Sequence, residues 1–254
     1  MIIFNVDMDN TVIYSYKHDI GNEKKCAEIY EGREISFITH KTQELLREIS
    51  EQILVIPTTT RTREQYERID LGIGAMKYAL VCNGGVLLVD GQEDSEWYEK
   101  SLELIKNSTS QLRKAVTLLE ADENRSFEVR FIRELFVFTK SDKPLETMKM
   151  LTENLDTSLV DVLSNGVKIY VVPKNLSKGN AVMRLKEKLL ANKVIAAGDS
   201  EFDISMLQCA NVAIAPSKLD FEKSWDNEVI KVSSKELFSE KVMEYVKRHI
   251  IGVR

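Results

Sequence analysis

Short apolar runs that stop abruptly at polar residues or glycine constrain this chain more than any other feature. IIFNV (residues 2–6) runs into Asp7, ILVIP (53–57) into Thr58, and KVIAA (193–197) into Gly198-Asp199-Ser200, while YALVCNGG (78–85) ends on paired glycines and VAIAP (212–216) completes the set. Each has the length of a buried strand. Helical patterns lie between them. Leu45, Leu46, Ile49 and Ile53 share one face behind a capping Thr39, and further helices start at Lys178 and Phe202. A last amphipathic segment carries Leu237, Val242, Tyr245 and Val246. Strand, helix and strand at this spacing predict an α/β fold with a parallel sheet flanked by helices, because parallel neighbours need a long crossover connection.

The rhythm changes near Val86. A helix is expected from about Leu102, with Ile105, Leu112, Val116 and Leu119 on one face. Two strands follow, SFEVRFI and LFVFTK, then a helix bearing Leu145, Met148, Leu151 and Leu155, then SLVDVLS and KIYVVP around the hairpin signal Asn165-Gly166. This order, αββαββ, is antiparallel in character and is set inside the parallel pattern. Residues 87–172 are therefore expected to form an inserted α+β domain, with residues 1–86 and 173–254 forming the core. A further hairpin, KKCAEIY and REISFI around Glu31-Gly32, is expected to make a flap near the N-terminus.

With 254 residues and 43% hydrophobic composition, the chain can build one large core or two modest ones. A net charge of -5 and a pI near 5.5 give no global basic field for nucleic acid or an anionic membrane. The longest apolar runs fall short of the roughly 20 residues that a membrane span needs. The start, MIIFNVDMDN, has acids where a signal peptide would have basic residues, so a cytoplasmic protein is expected. Cys26, Cys82 and Cys209 are scattered without a CxxC pair; they suit a reducing compartment and read as buried filler, not nucleophiles.

Four polar clusters share one place in this scheme. Asp7/Asp9/Thr11, Thr58-Thr59-Thr60-Arg61, Lys178, and Gly198-Asp199-Ser200 with Asp203 each lie at the end of a core strand or open the following helix. Open α/β sheets bind ligands at those strand ends, so residues from both ends of the chain are expected to meet in one cleft. Asp7 and Asp9, two apart on extended backbone, point the same way. With Asp199 they would bring three carboxylates together. Two carboxylates about 5 Å apart repel by roughly 3 kcal/mol at an effective dielectric near 20. That is a large cost against a total stability of about 5–15 kcal/mol. A hard divalent cation offsets it: Mg²⁺ takes one or two carboxylates, keeps waters and uses substrate phosphate for the rest. Oxygen-only ligands with no nearby His or Cys argue against zinc.

The remaining residues suit phosphate. Thr59 offers a hydroxyl and a backbone N–H, Lys178 a point charge at a helix N-terminus, and glycines beside Asn83 and Asp199 allow close backbone approach. Singly, each residue has a plainer reading. Asp7, Asp9 and Asp199 read as turns or helix caps, Lys178 as a solvated helix residue, Asp203 as an ion-pair partner and Asn83 as a strand-ending turn; their shared location favours the site. Arg61 reads equally as a surface salt-bridge partner or a phosphate contact. His18, His40 and His249 read as solvated, and Trp97 and Tyr98 as packing. Arg130, Arg133 and Lys168 read as a charged outer face in preference to anion contacts.

Taken in order, these residues resemble the four motifs of the haloacid dehalogenase superfamily of phosphatases. VDMDNTV matches the first motif, TTTR stands where the second often reads TGR, SKGNAV is similar to the third in the branch with a large cap, and GDSEFD stands where the fourth often reads GDxxND. The αββαββ insertion is similar to the C2B cap of Cof-type phosphatases, sucrose-phosphate phosphatases and phosphomannomutases. The resemblance covers the whole chain and implies a Rossmann-like core with an inserted cap. It implies that Asp7 is a nucleophile that becomes an aspartyl-phosphate, and that Asp9 protonates the leaving oxygen and then activates water. It implies Mg²⁺ held by Asp7, the Asp9 carbonyl and Asp199, with Asp203 in support. It places Thr59, Thr60, Lys178 and Asn83 around the phosphoryl group, with Lys178 also orienting Asp7. Thr60 replaces the glycine of the second motif, and Thr59, two before Arg61, is taken as the motif residue in preference to Thr58. Phe202 replaces the asparagine of the fourth motif, which predicts lower metal affinity.

The leading function is thus a Mg²⁺-dependent phosphomonoester hydrolase for a small phosphorylated metabolite, a sugar phosphate foremost. The protein is expected to be a monomer or weak homodimer without nucleic-acid or membrane partners. A phosphomutase would use the same core residues, but phosphomannomutases carry a longer fourth-motif loop than GDSEFD. A non-catalytic phospho-ligand sensor is the third reading, although no motif carboxylate is missing.

Overall fold

The strands and helices expected from periodicity are arranged around one parallel sheet in the structure, a computed structural model that describes residues 1–222 and 227–251. In chain order, the first part of the core holds β1 (Ile2–Val6), β2 (Tyr14–Ser15), β3 (Lys24–Tyr30), β4 (Arg33–Thr39), α1 (His40–Ser50), β5 (Leu54–Pro57), α2 (Arg63–Glu67), β6 (Tyr78–Val81), β7 (Val86–Val89) and β8 (Gln92–Glu93). Next come α3 (Ser95–Ile105), α4 (Thr109–Glu120), β9 (Arg130–Ile132), β10 (Phe136–Lys140), α5 (Pro144–Asn154), β11 (Val160–Asn165) and β12 (Lys168–Pro173). The chain then returns through α6 (Lys178–Lys188), β13 (Lys193–Ala197), α7 (Ile204–Cys209), β14 (Val212–Pro216), β15 (Glu228–Val232) and α8 (Phe238–Ile251).

The central sheet has five strands in the order β15-β14-β13-β1-β5, all parallel. β1 and β13, side by side at its centre, are buried along nearly their whole length, as continuous apolar runs should be when helices cover both faces. The Thr39 hydroxyl caps α1 by accepting the Thr42 N–H at 3.1 Å. Leu46 and Ile49 of α1 share one buried cluster with Val242, Met243 and Val246 of α8. Fully burying one such side chain contributes about 1.5–3 kcal/mol.

Two details of the core differ from the periodicity reading, and the flap gains a third strand. YALV forms β6 as expected, but it pairs antiparallel with β7 and meets β5 only through a single Thr58–Leu80 bridge, so it is not a full strand of the parallel sheet. EVIKV forms an unexpected edge strand, β15; with only Val232 fully buried it shows neither alternation nor an apolar run. The expected flap is present as the β3–β4 hairpin, with β2 paired on the other side of β4.

The chain divides into two compact units, residues 1–94 with 178–254 and residues 95–177. The first boundary falls later than 86/87 because β7 and β8 continue the antiparallel pairing begun by β6, and the second falls at the start of α6. The second unit is a four-stranded antiparallel sheet, β11-β12-β10-β9, with α3, α4 and α5. The single helix expected from Leu102 is two helices, interrupted by a 3₁₀ turn at Lys106–Ser108; Trp97, Ser101 and Ile105 are buried on the first and Leu112, Ala115 and Leu119 on the second. SFEVRFI is a strand only at Arg130–Ile132. Upstream, the Phe127 and Glu128 carbonyls accept from the Thr139 hydroxyl, at 2.8 and 3.2 Å. Among the described residues, no helix is long and apolar enough to cross a membrane.

Candidate active site

Asp7 follows directly on β1, where its N–H donates to the Ala197 carbonyl at 2.9 Å, tying the β1 end to the β13 end. Lys178 opens α6 and is 1% exposed. Its Nζ donates to Asp7 Oδ1 and to Asp203 Oδ1, each at 2.5 Å. Gly179 lets this lysine reach the strand ends: a Cβ there would lie 2.3 Å from the Ser205 carbonyl oxygen, so only glycine admits α6 this close to α7. Burial alone would lower the lysine's pKa, but facing Asp203 and Asp7 raises it above the ordinary value.

Asp199 lies just past β13, held through its Oδ1 by the Thr11 hydroxyl at 3.4 Å. Asp203 closes the loop beneath it. Its Oδ2 accepts the Asp199 N–H, the Ser200 N–H and the Ser200 hydroxyl at 3.1, 3.0 and 2.9 Å. Gly198 makes room for this carboxylate, since a Cβ there would sit 2.4 Å from Asp203 Cγ. Carboxylate oxygens of Asp7, Asp199 and Asp203 lie within 4.8 Å of one another. Burial raises the Asp7 carboxyl well above the usual range; Lys178 opposes this, and Asp203, Asp199 and Asp9 add to it. Burial, reinforced by Asp203, also pushes Asp199 up to about 6, with Lys178, Lys218 and Asn10 opposing. Both shifts follow first from burial, and the neighbouring carboxylates add to it. The donor set is all oxygen, which suits Mg²⁺. Asp7 and Asp199 fit as direct ligands. Asp203 has both oxygens engaged, by Lys178 and by the loop.

Asp9 stands apart from this cluster. Its carboxylate is half exposed and lies in the fork of Arg61, with Nε to Oδ2 at 2.8 Å and Nη2 to Oδ1 at 2.7 Å. Arg61 is neither a surface ion pair nor open to a phosphate. It is 14% exposed, and its Nη1 also meets Glu28 Oε2 at 2.9 Å. Burial works against its charge, yet Asp9 and Glu28 hold it more firmly protonated than an ordinary arginine.

The second-motif threonines divide their roles. The Thr58 hydroxyl accepts from Asn5 Nδ2 at 3.0 Å and donates to the Ile56 carbonyl at 3.1 Å, so it is used up inside the fold. Thr59 Oγ1 accepts the Arg61 N–H at 3.1 Å, which leaves its own O–H to donate. Its backbone N–H, expected to meet phosphate, is committed to the Leu80 carbonyl at 2.8 Å. Thr60 is half-buried beside it. Asn83 is buried in left-handed backbone (φ 57°, ψ 29°), directly after Cys82 at φ 52°, and donates its N–H to the Thr59 carbonyl at 2.9 Å. Consecutive non-glycine residues in this region are strained by about 1–3 kcal/mol each, and such strain collects at functional sites.

Sequence periodicity did not reveal Glu28. Its strand, KKCAEIY, carries a bulge between Cys26 and Glu28, so Ala27 and Glu28 are both buried and the alternation that would mark an inward acid is lost.

A profile of the haloacid dehalogenase-like hydrolases matches residues 91–217. A phosphoglycolate phosphatase of Methanopyrus kandleri is 26% identical over 176 residues, spanning 68% of this chain and 73% of its own. The sucrose-phosphatase of Synechocystis, solved with sucrose and phosphate, is similar over 99% of this chain and 98% of its own, with a TM-score of 0.62 at 15% identity. A trehalose-6-phosphate phosphatase of Aspergillus fumigatus is similar over 97% and 92%, with a TM-score of 0.51 at 14% identity. At these identities the solved structures share the fold.

Proposed function

The chain belongs to the haloacid dehalogenase-like hydrolases, and from that premise we propose that it is a Mg²⁺-dependent phosphatase that hydrolyses a small phosphomonoester, a sugar phosphate foremost, through an aspartyl-phosphate on Asp7. The observation that carries this reading is the buried Asp7 carboxylate, gripped through Oδ1 by Lys178 with Oδ2 left to react, beside Asp199 and Asp203.

In the first step Asp7 Oδ2 bonds to phosphorus, the bond from phosphorus to the alcohol oxygen breaks, and Asp9 gives that oxygen a proton. In the second, water bonds to phosphorus, the Asp7–phosphorus bond breaks, and the Asp9 carboxylate takes the water proton. One difficult displacement becomes two easier ones, and one acid/base serves both by reversing its role. Lys178 keeps Asp7 aimed and offsets charge on the phosphoryl oxygens. The Thr59 hydroxyl and the half-buried Thr60 contact those oxygens, and Asn83 shapes the backbone next to Thr59. Asp7 and Asp199 would hold Mg²⁺, which would supply positive charge to offset that of the phosphoryl group.

Residues 95–177 take the part of the inserted cap. The substrate class follows the phosphatases of small phosphorylated sugars and acids named above. A cytoplasmic location suits the free thiols of Cys26, Cys82 and Cys209. Acid quenching during turnover, borohydride reduction and peptide mass spectrometry test the intermediate: position 7 should be recovered as homoserine. Phosphate release with no reduced residue at position 7 would refute the intermediate.

A further inference from the structure

Glu28 is a carboxylate with a fully buried side chain, on a hairpin that the proposed chemistry does not otherwise use. Its Oε2 meets Arg61 Nη1 at 2.9 Å and accepts the Ser36 hydroxyl at 2.9 Å, while Oε1 accepts Arg68 Nε at 3.1 Å. The hairpin is pinned here by a bridge between Glu28 and Ile69 and by the Asp70 N–H donating to the Ala27 carbonyl at 2.8 Å. Arg61 is fixed along its length. Its N–H donates to Thr59 Oγ1 at 3.1 Å, its carbonyl accepts the Cys82 N–H at 2.7 Å, and Nη1 also donates to the Gln65 carbonyl at 3.2 Å. The remaining edge of the guanidinium, Nε with Nη2, is presented whole to both oxygens of Asp9.

A planar fork held this way fixes the plane and direction of the carboxylate it grips, which a lysine cannot do. Two guanidinium groups offset the burial of the Glu28 carboxylate, and Glu28 keeps Arg61 Nη1 turned away from Asp9. We propose that Glu28 and Arg61 form a positioning arm that aims the Asp9 carboxylate for proton transfer, so that the β3–β4 hairpin sets how well the enzyme expels a poor leaving group. This rests on Asp9 being the acid/base. Glu28 acts only through Arg61, and Arg61 acts through its grip on Asp9, so both are positioning residues.

Proton donation matters for an alkoxide leaving group and little for p-nitrophenolate, which is stable as an anion. The test is the ratio of kcat/KM for an alkyl phosphate, glucose 6-phosphate or glycerol 3-phosphate, to kcat/KM for p-nitrophenyl phosphate. It is measured on one preparation each of wild type, Glu28→Gln, Arg61→Lys and Asp9→Asn. The ratio does not depend on the fraction of protein folded, so partial unfolding of a variant leaves it readable. In both arm variants it should fall by about 10²-fold, with Asp9→Asn falling at least as far. A selective fall in Asp9→Asn with an unchanged ratio in the arm variants would overturn the arm alone. An unchanged ratio in Asp9→Asn would overturn Asp9 as the acid and the arm with it.

Discussion

Lys178 Nζ stands 2.5 Å from Asp7 Oδ1, and both residues are buried at the strand ends. The same nitrogen holds Asp203, so one cation stabilises two carboxylates. Replacing it by Lys178→Met leaves both without their partner. The expected cost is about 3–5 kcal/mol in urea unfolding at neutral pH, with phosphatase activity lost. Asp7→Asn should instead abolish turnover, by on the order of 10⁴-fold or more in kcat, with the fold retained.

The approach of Gly198 to Asp203 is close enough to test by one methyl group. In Gly198→Ala, the added Cβ would meet Asp203 Cβ and Cγ at 2.4 Å. Asp203 must move, and with it the N–H groups of Asp199 and Ser200 that it accepts. Thermal unfolding should show a loss of about 1–3 kcal/mol, and the Mg²⁺ concentration for half-maximal activity should rise.

Cation binding should be visible without substrate. Asp7, Asp199 and Asp203 repel one another across less than 4.8 Å, so Mg²⁺ should raise the unfolding temperature over an EDTA control. At 100 times its dissociation constant the gain is about 2.7 kcal/mol. Asp199→Asn should raise the stability in EDTA, because one like charge is removed, and should largely abolish the Mg²⁺ effect. Calorimetry on the two proteins checks both halves.

The Cys209 thiol is expected to be inert. Burial pushes its pKa up to about 11, so at pH 8 it is almost wholly protonated in the native state. Iodoacetamide should label it slowly in native protein and readily once urea has unfolded the chain. Rapid native labelling of the half-buried Cys209 would contradict the raised pKa.

The parts of this protein legible in the sequence are those where one pattern has one structural meaning. IIFNV and KVIAA are continuous apolar runs and form the central strands; Thr39 is a cap with a helical face behind it. Asp7, Lys178, Asp199 and Asp203 are legible as neighbours because residues at strand ends share one edge of a parallel sheet, and the structure brings those four together. What was hidden depends on partners far away in sequence or on broken periodicity. Nothing in TTTR says that the Thr59 N–H goes to Leu80 or that the arginine is buried. The bulge at Cys26/Glu28 erases the alternation that would have flagged an inward acid. β15, half-buried at the sheet edge, resembles a polar loop.

The central claim, hydrolysis of a small phosphomonoester at Asp7, is tested most directly by phosphate release. A panel of sugar phosphates, phosphoglycolate and p-nitrophenyl phosphate would be assayed with Mg²⁺ or EDTA, using wild type and Asp7→Asn. Mg²⁺-dependent release by the wild type that disappears in EDTA and in Asp7→Asn is the expected result, and the preferred compound identifies the substrate class. Release that survives Asp7→Asn, or no release from any compound by a folded protein that binds Mg²⁺, would contradict it.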